Sequence, residues 1–102
     1  MKYYSICAYD TPDSLEKRRA VRPAHLERLH QLEHENRLLV AGPFFHQDTQ
    51  NPAEGGVKGS LIVAQFEDLT TAKEWAAADP YVTAGVYQSI DVHAYQPVFS
   101  RG

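Results

Sequence analysis

The chain has 102 residues, 43% of them hydrophobic and 23% charged, and a formal net charge of -3 at pH 7. That length suits one domain over residues 1–102 with a single core. The acidic balance excludes a protein that grips nucleic acid by releasing counterions, and no apolar run is long enough to cross a membrane. Cys7 is the only cysteine, so no intrachain disulfide can form. The chain runs straight into a strand pattern without a secretory leader, and a cytoplasmic location is expected.

Residues 2–9 predict a strand rich in aromatic and β-favouring side chains, with Cys7 as a small buried apolar group. Asp10-Thr11-Pro12-Asp13 predicts a turn, and Ser14 the N-cap of the element that follows. A helical pattern then runs to about residue 36, with Leu26, Leu29 and Leu32 in its apolar stripe. Pro23 interrupts it. Proline inside a helix costs about 3 kcal/mol but is tolerated in a first turn. The expectation is therefore one short helix over residues 15–20 and a second that starts at Pro23.

Residues 38–43 predict a short strand. Residues 44–58 are polar and hold Gly55, Gly56 and Pro52, a long loop of the kind that forms lids or binding loops. Residues 60–66 predict the next strand. A helix opens at Thr70, carries Ala72, Trp75 and Ala76, and ends at Asp79-Pro80. Residues 81–84 predict one more helical turn and residues 87–95 the last strand.

This order, βαββαβ, is the split pattern of a ferredoxin-like α+β sandwich with a four-stranded antiparallel sheet. Both helices fall on one face of such a sheet. The strands carry apolar or aromatic groups on the other face too, as Tyr3, Cys7 and Tyr9 on the first and Leu61 and Val63 on the third. A solvated face would be more uniformly polar, and an apolar patch of that size marks an interface. The expected partner is a second copy of the chain, forming a homodimer closed sheet on sheet.

Two segments carry the candidate chemistry. His25, read as lying in the first turn of the helix begun by Pro23, would feel free N–H groups and the positive end of the helix dipole, which disfavour imidazolium. A ring kept neutral there suits a general base; the alternative is a half-buried histidine bonded to backbone. Asp79 before Pro80 reads as an N-cap, or as the acid that orients His25. Arg18 and Arg22 are candidate anion clamps, with exposed salt bridges to Glu16 or Glu27 as the alternative. Ser60 offers a hydroxyl to a substrate oxygen, and Tyr81 is either a pocket wall or part of the core rim. His30 and His34 have metal-compatible spacing but no third ligand, so no metal site and no cofactor are expected.

The segments Asp13-Ser14-Leu15-Glu16-Lys17-Arg18, Val21-Arg22-Pro23-Ala24-His25-Leu26, Ala41-Gly42-Pro43, Gly59-Ser60 and Ala78-Asp79-Pro80-Tyr81-Val82 resemble, in order, the YciI-like (YCII-related) family over almost the whole chain. The resemblance implies a ferredoxin-like fold assembled as a dimeric α/β barrel. It also implies a histidine–aspartate dyad, here His25 and Asp79, in a pocket that takes a small-molecule ligand. One activity associated with the family is elimination of chloride from a chlorinated, hydroxylated aromatic. Three functions follow as expectations. The first is a cofactor-independent lyase or isomerase acting on a small hydroxylated aromatic or anionic substrate. The second is a non-catalytic dimeric binding or interaction module, and the third a cofactorless oxygenase.

Overall fold

Alternation along the central strands decides what each face of the sheet meets. In β1 (Lys2–Asp10) the side chains of Tyr4, Ile6 and Ala8 are buried, while Tyr3, Ser5 and Cys7 are only half-buried. β3 (Val57–Phe66) runs antiparallel beside it, with Ile6 opposite Ile62 and Tyr4 opposite Ala64. β2 (Leu38–Phe45) and β4 (Tyr87–Ala94) flank this pair, giving the order β2-β3-β1-β4. The structure is a computed structural model that describes residues 1–100. It is a ferredoxin-like α+β fold with a four-stranded antiparallel sheet, as the element order implies.

The helices α1 (Leu15–His34) and α2 (Leu69–Ala77) cover the face that carries Tyr4, Ile6, Ile62, Ala64 and Phe66. Leu32 of α1 and Ala72 and Ala76 of α2 complete this core, and Leu29 and Trp75 pack at its margin. Cys7 lies on the opposite face, paired with Leu61 and Asp91. It is half-buried there rather than buried as expected, because no helix covers it. Among the described residues no helix is long and apolar enough to cross a membrane.

The first helix departs from expectation. α1 is one 20-residue helix with Pro23 inside it, not two helices. Proline removes the hydrogen bond to the carbonyl four residues back, here that of Arg19. Both Arg19 and Pro23 are exposed, so this turn of the helix faces away from the core. Arg18 and His25 are buried on either side of the proline and Leu32 farther on. Tertiary anchoring of both halves outweighs a local penalty of about 3 kcal/mol.

The central hairpin is longer than predicted. Phe44 pairs with Gly59 and Phe45 with Val57, so β2 and β3 take in both ends of the expected loop. Gly42, Pro43 and Gly59 lower the strand signal, but Pro43 sits on an edge strand, where proline is allowed. Gly59 is required by close approach: a Cβ there would lie 2.3 Å from the Ala8 carbonyl oxygen. What remains of the loop carries a 3-10 helix (Pro52–Glu54) capped by the Asn51 side chain. α2 opens one residue before the expected Thr70, and Asp68 caps it by accepting from Thr71 N–H at 2.8 Å.

A last short helix, α3 (Pro80–Thr83), ends at Gly85, which adopts φ 76° while Val86 N–H bonds back to the Tyr81 carbonyl at 2.9 Å. This is a glycine-terminated helix end. Thr11 N–H donates to the Val86 carbonyl at 2.7 Å, and the Thr11 hydroxyl to the Gly85 carbonyl at 2.8 Å. The turn before α1 is thereby fastened to the turn after α3. That brings the two chemistry-bearing segments together.

Candidate active site

An unbroken α1 puts Arg18, Arg22 and His25 on one helical face at spacings of four and three. All three line a cleft of about 160 Å³ whose other walls include Gly42, Pro43, Ser60 and Tyr81. The helix-dipole argument for His25 does not hold, because its ring lies in mid-helix and not in a first turn. A different helix terminus matters: Asp79 caps α3, its Oδ1 accepting from Tyr81 N–H at 2.9 Å.

The same carboxylate meets the imidazole. His25 Nδ1 lies 2.9 Å from both Oδ1 and Oδ2 of Asp79, and both residues are buried, at 6% and 2% exposure. An ionised carboxylate only accepts hydrogen bonds, so Nδ1 carries the proton and donates. Nε2 is then the nitrogen with a free lone pair, and it has no hydrogen-bond partner among the described residues. The one Asp79 carboxylate thus makes both the α3 cap and the contact with His25.

Tyr81 stacks on His25, with ring centroids 3.9 Å apart and planes 13° from parallel. It is 1% exposed and lines the cleft, so it is both core and wall. Burial raises its phenol pKa, and raises that of Tyr87, which meets Tyr81 edge-on at 5.4 Å. The buried Tyr87 hydroxyl has no hydrogen-bond partner among the described residues.

Arg18 is not a free anion clamp. Its Nε donates to Asp10 Oδ2 at 2.6 Å and its Nη2 to Asp10 Oδ1 at 3.0 Å and Ser60 Oγ at 2.8 Å. Burial disfavours its charge, but the hydrogen bond to Asp10 and that carboxylate's field more than offset it, so the pKa rises. Ser60 therefore spends an acceptor site on Arg18 while still lining the cleft. Ser14 is also recruited: its hydroxyl donates to Asp10 Oδ2 at 2.5 Å and makes no side-chain cap on α1. Arg19 takes the exposed salt bridge to Glu16 at 2.8 Å.

Arg22 differs from Arg18. It is exposed at the cleft mouth and has no carboxylate within 4.0 Å among the described residues. Together with Arg18, Pro43 and Tyr81 it also borders an adjoining chamber of about 360 Å³, whose far side is Asn51, Pro52 and Ala53. Of the expected binding loop, Asn51, Pro52, Ala53 and Val57 line this chamber.

Two site residues escaped the sequence reading. Asp10 was assigned to a turn, yet it ends β1 in phase with buried Tyr4, Ile6 and Ala8; a carboxylate in a buried phase requires a partner. Arg28 lies three residues after His25, one turn along the same helical face, and also approaches Asp79, Nη1 to Oδ2 3.7 Å. His30 pairs loosely with Glu33 at 3.8 Å on the exposed helix surface, apart from the site.

Comparison with known proteins shows the family and the fold. The family model for the YCII-related domain matches residues 1–96. An uncharacterized protein of Haemophilus influenzae is 57% identical over 97 residues, covering 95% of this chain and 99% of that one. Protein YciI of Escherichia coli is 52% identical over 96 residues, covering 94% and 98%. Among solved structures, 5-chloro-2-hydroxyhydroquinone dehydrochlorinase (TftG) of Burkholderia phenoliruptrix, in complex with 2,5-dihydroxybenzoquinone, superposes with a TM-score of 0.80. That match has 24% identity and covers 92% of this chain and 93% of that one, a likeness of fold.

Proposed function

The chain belongs to the YCII-related family, and we propose that it is a cofactor-independent acid–base enzyme of lyase or isomerase type that uses His25 and Asp79. The observation that carries this reading is the two-oxygen grip of Asp79 on His25 Nδ1, at 2.9 Å to each oxygen, inside a cleft. It leaves Nε2 to take a proton from a substrate O–H or C–H while Asp79 stabilises the imidazolium that forms. In an elimination, the electron pair released from that bond forms the new double bond and the leaving group departs as an anion. His25 then returns its proton to solvent. A positioned acid–base group of this kind contributes about 10²–10⁴-fold.

Arg22 supplies the anion contact. Among the described residues its guanidinium lines the cleft without a carboxylate partner, so it pairs with a phenolate or carboxylate oxygen of the ligand. Arg18, Ser60 and Tyr81 shape the wall against which the ligand lies. The cleft of about 160 Å³ suits a single small ring or a short acid. The dehydrochlorinase that shares the fold acts, by its name, on a chlorinated hydroxyhydroquinone, which supports a small hydroxylated aromatic as the substrate class.

The unit is a homodimer. The sheet face opposite the helices carries Tyr9 and Val40 at 40% and 48% exposure, with Leu61 half-buried between them. A second copy packed on that face removes this apolar surface from water and completes a barrel of two sheets. Light scattering should give twice the mass of 11.5 kDa at micromolar concentration; a clean monomer contradicts the assembly.

The functional test is a crystal soaked with small hydroxylated aromatics and with small carboxylic acids, followed by assay of any compound that binds. Density beside His25 Nε2 and Arg22, with turnover abolished in His25→Ala, is the expected result. Binding at this site with no proton exchange or turnover would instead make it a non-catalytic binding module.

A further inference from the structure

Arg28 is held more tightly than a helix-surface arginine needs to be. Its Nη2 donates to the Trp75 carbonyl at 2.5 Å, and its guanidinium carbon lies 4.1 Å from the centre of the Trp75 ring. The remaining terminal nitrogen, Nη1, is buried and makes no hydrogen bond among the described residues. It points instead at the Asp79 carboxylate, 3.7 Å from Oδ2. An orphaned cationic nitrogen in such a place is costly unless a charge faces it. Here one does.

From this geometry we infer that Arg28 is a positioning residue: its guanidinium faces the Asp79 carboxylate that His25 also contacts and offsets its charge, so that the dyad rests with His25 unprotonated on Nε2. Two hydrogen-bond donors and one further cation then surround the Asp79 carboxylate. Tyr81 N–H and His25 Nδ1–H meet Oδ1, and His25 Nδ1–H and Arg28 meet Oδ2.

Charge counting explains why this matters. The charged and titratable groups around the dyad are Arg18, Arg22 and Arg28 on α1, Asp10 on β1, Asp79 and Tyr81 at α3, and Tyr87 on β4. Asp10 neutralises Arg18. If Arg28 neutralises Asp79, a proton on His25 adds net positive charge to a buried site that already faces Arg22. Without Arg28, the same proton would neutralise a lone buried carboxylate and be welcomed. Arg28 thus keeps the base free, and Trp75 keeps Arg28 in place through its carbonyl and ring. Burial lowers the Arg28 pKa while Asp79 opposes that change, as expected for a cation that relies on one carboxylate.

This inference deepens the acid–base reading, but its test needs neither substrate nor turnover, so the two can fail separately. The His25 ring is followed by nitrogen-15 NMR against pH in the wild type, Arg28→Lys, Arg28→Gln and Arg28→Met. The two neutral variants should shift the His25 titration midpoint upward, while Arg28→Lys, which keeps the charge, should stay close to the wild type. Unshifted or lowered midpoints in a folded neutral variant would overturn the proposal and leave Arg28 as a packing residue that affects only thermal stability. Should neither neutral variant fold, the wild type decides: the Arg28 guanidinium resonances should move as His25 titrates, since both face Asp79. A flat profile would overturn the coupling.

Discussion

His25 Nδ1 lies 2.9 Å from each carboxylate oxygen of Asp79, and Asp79 simultaneously caps the helix that carries Tyr81, the ring stacked on His25. Capping, orientation and stacking therefore share one buried carboxylate.

Substitutions at Asp79 should separate its two duties. Asn is a good N-cap but has no charge, so Asp79→Asn should keep most of the α3 cap while weakening the hold on His25. Asp79→Ala loses both. The missing cap costs about 0.5–2 kcal/mol, and the stranded His25 N–H about 1–3 kcal/mol more. Urea unfolding of the two variants should rank Ala as clearly the less stable. Equal stabilities would show that the cap contributes little.

The Asp10–Arg18 pair is buried, with side-chain exposures of 1% and 9%. Removing one member leaves an uncompensated charge and should cost about 3–5 kcal/mol. Arg18→Met or Asp10→Leu alone should therefore lower the unfolding midpoint sharply. The double replacement should recover much of the loss, because a buried pair contributes little over apolar groups of similar volume. A double-mutant cycle measures this, and additive losses would contradict it.

Alkaline pH should unfold the protein through its tyrosines. Burial raises the pKa of Tyr81 and of Tyr87 above the usual tyrosine value of about 10. A raised folded-state pKa means that the stabilisation is fully present below about pH 10 and is lost as pH climbs through the folded-state values. Phenolate absorbance should show these two rings ionising late and together with loss of helical signal. Early, reversible titration of all six tyrosines in a folded chain would contradict it.

Pro23→Ala should stabilise the protein. The proline sits inside a continuous helix, exposed, with its ring contributing no core packing. Restoring the hydrogen bond to Arg19 recovers part of a penalty of about 3 kcal/mol, less about 0.4–1 kcal/mol from a more flexible unfolded chain. A net gain of about 1–2 kcal/mol in thermal or urea unfolding is expected. A loss would mean that the proline sets a bend that His25 needs.

What the sequence made legible was whatever repeats locally. Strict alternation placed Tyr4, Ile6 and Ala8 on one face, and the Asp-Pro pair at 79 and 80 marked a helix start. The unbroken course of α1 was not legible, because the proline rule is local whereas Arg18, His25 and Leu32 are anchored by distant elements. Of the contacts at the site, that between His25 and Asp79 was expected mainly through family resemblance. Asp10 and Arg28 were missed because the groups they face, Arg18 and Asp79, are not their sequence neighbours; strand phase for Asp10 and helical spacing for Arg28 were the available signals. The salt bridge that removes Arg18 as a clamp depends on that missed carboxylate.

The most direct test of the dyad is nitrogen-15 NMR of His25 in the wild type and in Asp79→Asn. The account predicts that neutral His25 carries its proton on Nδ1 with Nε2 bare, and that this tautomer loses its dominance when the carboxylate is replaced. A ring protonated on Nε2 in the wild type, or one indifferent to Asp79→Asn, would contradict it.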